Sequence, residues 1–304
     1  MKPLAITLGD PAGIGAEVVF KALDKVEVPV RVFGSGALAG PPANIDFVDV
    51  GGSGSVQYGK VSADYGRVAL ASIDAALKAI DAGQCSALVT APINKRSIAD
   101  AGSPFPGHTE LLADRARRRR YAHDYAMYFD SPSLRAVLLS VHTSLRDAIH
   151  SINAENIAAL ARLTNREYAR LYGSAPRIAA AAVNPHAGEG GRFGDEEREI
   201  EKGVASAREA GITISGPHPA DTVFRAASHG KYDVVMAMYH DQALIPIKTM
   251  AFEHSVNVTL GLPYLRVSVD HGTAFDIAGK GIADATPMRY AIEWAGRFAE
   301  RVTP

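Results

Sequence analysis

Tyr232-Asp233-Val234-Val235-Met236-Ala237-Met238-Tyr239-His240-Asp241-Gln242-Ala243-Leu244-Ile245-Pro246-Ile247-Lys248 is the stretch whose reading decides the fold. Val234 to Met238 is apolar without alternation, the pattern of a strand buried on both faces in a parallel sheet. It stops abruptly at ionisable side chains. Open α/β sheets bind ligands in the crevice beyond the carboxyl ends of their strands, so His240, Asp241 and Lys248 are candidate site residues. Taken alone, His240 is more often a locally bonded strand-end residue than a ligand, and its weight comes from the rest of the chain.

The pattern recurs twice. Leu134 to Val141 reads as a strand that ends at His142, after a hairpin with Tyr125 to Phe129, and Arg177 to Val183 leads into Asn184-Pro185-His186-Ala187-Gly188-Glu189-Gly190-Gly191. If these strands are parallel neighbours, their three terminal histidines are brought together. Three neutral imidazoles with vacant positions suit zinc or another divalent transition metal. Spacing along the chain does not choose between that site and three separate structural roles. Asp221 and Asp241 are candidates to orient an imidazole or to take a proton.

The beginning of the chain sets the α/β order. Leu4 to Leu8 reads as a buried strand, followed by the turn Gly9-Asp10-Pro11-Ala12-Gly13-Ile14-Gly15 and a helix over Ala16 to Leu23. The glycines do not form G-x-G-x-x-G, Pro11 removes a donor, and the next strand, Val30 to Phe33, lacks an acidic residue for a ribose, which argues against a Rossmann site. They let the backbone turn and approach another segment, with Asp10 and Glu17 as polar contacts. A helix over Ser62 to Ala82, a buried strand at Ala87 to Thr90 and a polar exit with Asn94 and Lys95 follow. Asn94 and Lys95 read equally as crevice residues or as a solvated loop.

His108 and Thr109 open a helix, where free N–H groups and the dipole favour an anion, although Thr109 also suits a cap. Arg115 and Arg117 to Arg120 lie among Asp114, Asp124 and Asp130 and read as a solvated face or interface. A helix over Ala154 to Tyr172, a strand over Ser255 to Leu260, an exposed turn at Gly261 to Arg266 and a closing helix at Met288 to Arg301 complete the pattern. The glycine-punctuated stretch Asp270 to Asp284 is either a connector or a loop able to wrap an adenosine.

At 304 residues with 47% hydrophobic composition the chain fills two lobes or one large domain, and a net charge of -1 offers no field for nucleic acid or an anionic membrane. Small molecules are the expected partners. The single Cys85 excludes an intrachain disulfide and a cysteine-rich zinc site and fits a cytoplasmic setting. The start reaches Gly9 and Asp10 too soon for a secretory leader, and no apolar run spans a bilayer.

Gly9 to Gly15, Thr90-Ala91-Pro92-Ile93-Asn94-Lys95, Gly107-His108-Thr109-Glu110, Asn184 to Gly190, Pro219-Ala220-Asp221-Thr222, Met238 to Gln242 and Asp270-His271-Gly272-Thr273-Ala274 together resemble the PdxA family of 4-hydroxythreonine-4-phosphate dehydrogenases. The resemblance runs nearly end to end. It implies an isopropylmalate dehydrogenase-like, non-Rossmann α/β/α fold of two lobes, 1–100 plus 250–304 and 101–249, with the active site in the cleft between them at a homodimer interface. It implies that His142, His186 and His240 bind one zinc, magnesium, cobalt or manganese ion shared across the dimer. It assigns substrate to His108, Thr109, Lys248, Asn257 and Arg266, and Lys248 joins Asp221 and Asp241 from the residue reading as a catalytic candidate.

The C-terminal loop also resembles the nucleotide loop of isopropylmalate dehydrogenases, which places NAD or NADP at Asp10, Gly13, His271, Gly272, Thr273, Ala274 and Asp276. The implied reaction is oxidation of the 3-hydroxyl of 4-phosphohydroxy-L-threonine and decarboxylation to 3-amino-2-oxopropyl phosphate in pyridoxal phosphate biosynthesis. Relatives within the family oxidise 4-phospho-D-threonate, 4-phospho-D-erythronate or a cyclic dihydrodiol dicarboxylate. The sequence departs from the family in the short segment between Gly36 and Gly59 and in Val141-His142-Thr143-Ser144-Leu145, which lacks the usual threonine and proline neighbours. An acyl or phosphoryl transferase, which gives three strand-end histidines no obvious task, and a non-catalytic ligand sensor, for which nothing resembling a DNA-binding appendage is visible, are the competing classes.

Overall fold

Buried backbone groups must find partners in ladders or helices, and the apolar runs of the sequence do so in this computed structural model, which describes residues 2–52 and 54–302. In chain order the elements are β1 (Leu4–Thr7), α1 (Gly15–Leu23), β2 (Val30–Gly34), α2 (Gly36–Ala39), β3 (Phe47–Asp49), α3 (Ala63–Asp81), β4 (Ala87–Thr90), α4 (Lys95–Asp100) and α5 (His108–Arg115). Then come β5 (Ala126–Asp130), β6 (Arg135–Leu138), α6 (Leu145–His150), α7 (Ala154–Tyr172), β7 (Ile178–Ala181), α8 (Glu197–Glu209), β8 (Ile214–His218), α9 (Ala220–Ser228), β9 (Val234–Ala237) and α10 (His240–Ala251). The chain closes with β10 (Val256–Leu260), β11 (Leu265–Ser268) and α11 (Thr286–Val302). It divides into two compact units, Met1–Ala116 with Leu262–Pro304, and Arg117–Gly261.

The first unit carries parallel strands in the order β3-β2-β1-β4-β11. Phe33, Ile73, Leu77, Leu88 and Leu112 pack in one of its apolar clusters. The N-terminal turn approaches other segments as its glycines suggest: Asp10 N donates to Pro92 O at 3.0 Å and Ile14 N to Thr273 O at 3.1 Å. The expected exposed turn at Gly261 to Arg266 is corrected. Leu262 and Tyr264 are buried, and β11 runs alongside β4 with Arg266 only 2% exposed. Gly261, Pro263 and a mid-strand arginine gave turn and surface signals that tertiary pairing overrides.

The second unit has the order β10-β5-β6-β9-β7-β8, antiparallel over its first three strands and parallel from β6 onward. Val234 to Ala237 are each 0% exposed, as the unbroken apolar run requires. Phe224, Leu138, Val235, Leu244 and Ile247 share its core. The arginine block is a surface feature: Arg115 pairs with Asp74 at 2.9 Å and Arg120 with Glu155 at 2.7 Å. No helix among the described residues is long and apolar enough to cross a membrane.

One close approach makes a stability prediction. A Cβ on Gly66, within α3, would lie 2.0 Å from Ser97 O in α4. Helix propensity favours Gly66→Ala by about 1 kcal/mol, while overpacking against backbone costs about 1–3 kcal/mol and often more. The clash should win, lowering the urea midpoint at unchanged m-value; a raised midpoint would show that α3 and α4 separate freely.

Candidate active site

In the second unit β9 lies between β6 and β7, all three running the same way, so their carboxyl ends share one edge of the sheet. His142 follows β6, His240 follows β9 as the first residue of α10, and His186 follows β7. The rings of His142 and His240 have centres 5.8 Å apart. His240 Nδ1 lies 2.7 Å from Asp241 Oδ1, a carboxylate partner of the kind that orients a ligating imidazole through its other nitrogen. Gln242 ties the strand ends together: its Oε1 accepts from Met238 N at 2.7 Å and its Nε2 donates to Ala182 O at 2.7 Å.

His186 is not gathered with that pair. Its ring faces Phe193 at 6.5 Å, and among the described residues no three His, Cys, Asp or Glu side chains of the single chain are grouped to hold a metal. The pair fits a metal as two ligands, since imidazoles bind through nitrogen at about 2 Å. A third ligand is not supplied beside it by the chain alone.

The turn carrying His186 is left-handed over consecutive residues: φ is 52° at His186, 55° at Ala187, 73° at Gly188, 44° at Glu189 and 70° at Gly190. This conformation costs about 1–2 kcal/mol for each residue bearing a Cβ, so the surroundings must impose it. Glu197, the first residue of α8 and 5% exposed, accepts from Val183 N at 3.0 Å, Asn184 N at 2.7 Å and Asn184 Nδ2 at 2.8 Å. The sequence reading missed both Gln242 and Glu197.

Of the catalytic candidates, Asp221 opens α9 and is exposed; it lines one open groove with Asp241, Phe224, Ile245 and Met250. Lys248 lies further along α10, its Nζ 5.9 Å from the Phe252 ring centre. Asn257, on β10, is buried and its Oδ1 has no hydrogen-bond partner among the described residues.

The first unit places the substrate candidates His108, Thr109 and Arg266. Gly107 is the cap of α5, with no side-chain bond, so Thr109 does not cap it; Thr109 is buried in the first turn beside His108. Arg266 Nη2 donates to Thr90 Oγ1 at 2.9 Å. Burial pulls the Arg266 pKa down to about 10, against Tyr264 and Glu110, so the guanidinium is still charged at neutral pH. Burial, and then the Arg266 charge, push the His108 pKa well below its ordinary 6.5. Its Nε2 is enclosed without a partner.

Among the cofactor candidates, the Ile14 N to Thr273 O bond joins the turn containing Asp10 and Gly13 to the loop His271-Gly272-Thr273-Ala274. Asp10 Oδ1 accepts from Ala12 N at 2.9 Å, while burial raises the carboxyl's pKa despite hydrogen bonds that lower it. Asp276 is exposed. Pro11, Gly13, Glu17, Gly34, Tyr58 and Gly279 line a cavity there. Asn94 is settled as a cap, accepting from Ser97 N at 2.9 Å, and Lys95 is exposed.

The profile of the family described as pyridoxal phosphate biosynthetic protein PdxA matches residues 6–295. The chain belongs to the PdxA family. A 4-hydroxythreonine-4-phosphate dehydrogenase of Beijerinckia indica is 42% identical, with 97% of this chain and 95% of that protein covered. A putative D-threonate 4-phosphate dehydrogenase of Bradyrhizobium diazoefficiens is 38% identical, with 97% and 96% covered. The crystal structure of a 4-hydroxythreonine-4-phosphate dehydrogenase from Klebsiella pneumoniae superposes with a TM-score of 0.87 at 38% identity, covering 98% of each chain. This PdxA protein is therefore an enzyme of the dehydrogenase class, with the α/β fold that isocitrate dehydrogenases share.

The depressed His108 pKa gives a testable pH dependence. As pH falls through about 6.5 the unfolded chain protonates this histidine and the folded chain does not, so folded-state stability declines. Between pH 7.5 and 5.5, His108→Asn should therefore lose less stability than the parent. Urea unfolding at both pH values measures it, and identical pH responses would refute it.

Proposed function

We propose that the protein is a divalent-metal- and NAD- or NADP-dependent dehydrogenase that oxidises the 3-hydroxyl of 4-phosphohydroxy-L-threonine, with decarboxylation to 3-amino-2-oxopropyl phosphate in pyridoxal phosphate biosynthesis. The observation that carries the reading is the His142 and His240 pair at adjacent parallel strand ends, 5.8 Å apart, with Asp241 behind His240. His186 completes the ligand set when two copies pair, so the working form is a homodimer. Zinc, magnesium, cobalt or manganese suits the proposed set. Family membership and the relatives' named activities support the dehydrogenase chemistry.

In this reading His142, His240 and His186 would hold the cation, which would supply Lewis acidity, and the nicotinamide would supply a hydride acceptor. Arg266 and the first turn of α5, with Thr109, bind the phosphate. His108 stays neutral there, so its ring offers either a donor or an acceptor. The enclosed Oδ1 of Asn257 suits a hydroxyl or amino donor on the substrate. Lys248 binds the carboxylate and stands ready to return a proton, and Asp241 and Asp221 orient imidazoles or relay protons. The first unit carries the cofactor through Asp10, Gly13, the His271 to Ala274 loop and Asp276. The free, buried Cys85 agrees with a cytoplasmic setting.

A second reading, oxidation of 4-phospho-D-threonate or 4-phospho-D-erythronate, is favoured by the D-threonate 4-phosphate relative. A cyclic dihydrodiol dicarboxylate would bring a carboxylate instead of a phosphate to Arg266. NADH formation with each phosphorylated substrate, with and without chelator, separates these readings. Turnover should appear with one of them and vanish on chelation; silence on all three removes the proposal. His142→Ala and His240→Ala should each lower kcat/KM by more than about a hundredfold, since even outer partners of metal sites cost 10- to 100-fold.

A further inference from the structure

Glu197 behaves unlike an ordinary acidic residue at a helix start. Such a carboxylate usually reaches the free N–H groups of its own helix or simply faces the dipole. Among the described residues, the Glu197 carboxylate instead accepts from the chain leaving β7, at Val183 N, Asn184 N and Asn184 Nδ2. Glu196 Oε2 takes a further bond from the same amide at 2.6 Å. The carboxylate also lies under the middle of the left-handed turn, because a Cβ on Gly188 would be 2.7 Å from Glu197 Oε2. It thus touches the turn on both sides of His186, whose φ of 52° needs support from its surroundings.

We propose that Glu197 is the positioning residue for His186: by anchoring Val183, Asn184 and the floor of the turn at Gly188, it holds the imidazole in the left-handed conformation that presents it to a divalent cation. Nothing passes through Glu197 chemically. A glutamine there would put an N–H against donors already facing the carboxylate, while an aspartate would keep the charge one methylene short. The inference rests on the reading of His186 as a metal ligand.

Cobalt(II) titration followed by visible absorption, with thermal unfolding run in parallel, tests it on the full-length protein. Glu197→Gln should weaken cobalt affinity about 10- to 100-fold, as outer-shell changes at metal sites do, and alter the d–d spectrum. Glu197→Asp should recover part of both. Asn184→Ala keeps the test open should Glu197→Gln not fold, and should weaken binding in the same direction. Asp233→Asn, which breaks the 2.9 Å pair with Arg177 elsewhere in the same unit, should lower the melting temperature and leave cobalt binding unchanged. Parental affinity and spectrum in Glu197→Gln and Asn184→Ala, while His186→Ala has lost the metal, would overturn the positioning role. Parental binding by His186→Ala would overturn the metal reading beneath it.

Discussion

The parallel pairing of β6, β9 and β7 is the constraint on which the second unit depends. Strands covered on both faces carry few ionisable groups in their interiors, because a buried charge without a partner costs more than the packing returns. Val234 to Ala237 accordingly offer only apolar side chains. Polar chemistry is forced to the carboxyl ends, and parallel order puts those ends on one edge. His142 and His240 meet there because their strands are neighbours, although nearly a hundred residues of chain separate them. Gln242 reinforces the arrangement by bonding the exits of β9 and β7 at once.

The first unit meets the opposite electrostatic problem. Arg266 keeps a charge in an almost fully buried position, and that charge helps to hold His108 neutral. A buried cation beside a helix start, where N–H groups and dipole also favour negative charge, is the arrangement on which the proposed phosphate-binding role rests. The same unit brings the N-terminal turn against the Thr273 loop through a single backbone bond. Segments far apart in sequence are therefore held together by strand pairing and loop approach, which local propensity does not encode.

How much was legible follows from this distinction. Ala87 to Thr90 and Ala154 to Tyr172 are recovered at their predicted bounds because an unbroken apolar run and a long helical period leave few alternatives. Strand-end histidines were visible for the same reason. α10 was not, since Pro246 within it reads as a breaker. Arg266 was assigned to a surface turn because nothing local announces that β11 will lie against β4. Glu197 was passed over because an acidic residue opening a helix has an ordinary local explanation; only coordinates show its carboxylate turned toward Asn184. The pairing of His142 with His240, and the separate position of His186 within one chain, likewise belong to tertiary structure.

X-ray absorption at the cobalt edge, on protein loaded with one equivalent of cobalt(II), tests most directly the claim that strand-end imidazoles from His142, His186 and His240 hold one ion. The account predicts a first shell with three imidazole nitrogens at about 2.0–2.2 Å, falling to two when any one of the three histidines is replaced by alanine. A shell of oxygens alone, or one unchanged by all three substitutions, would contradict it.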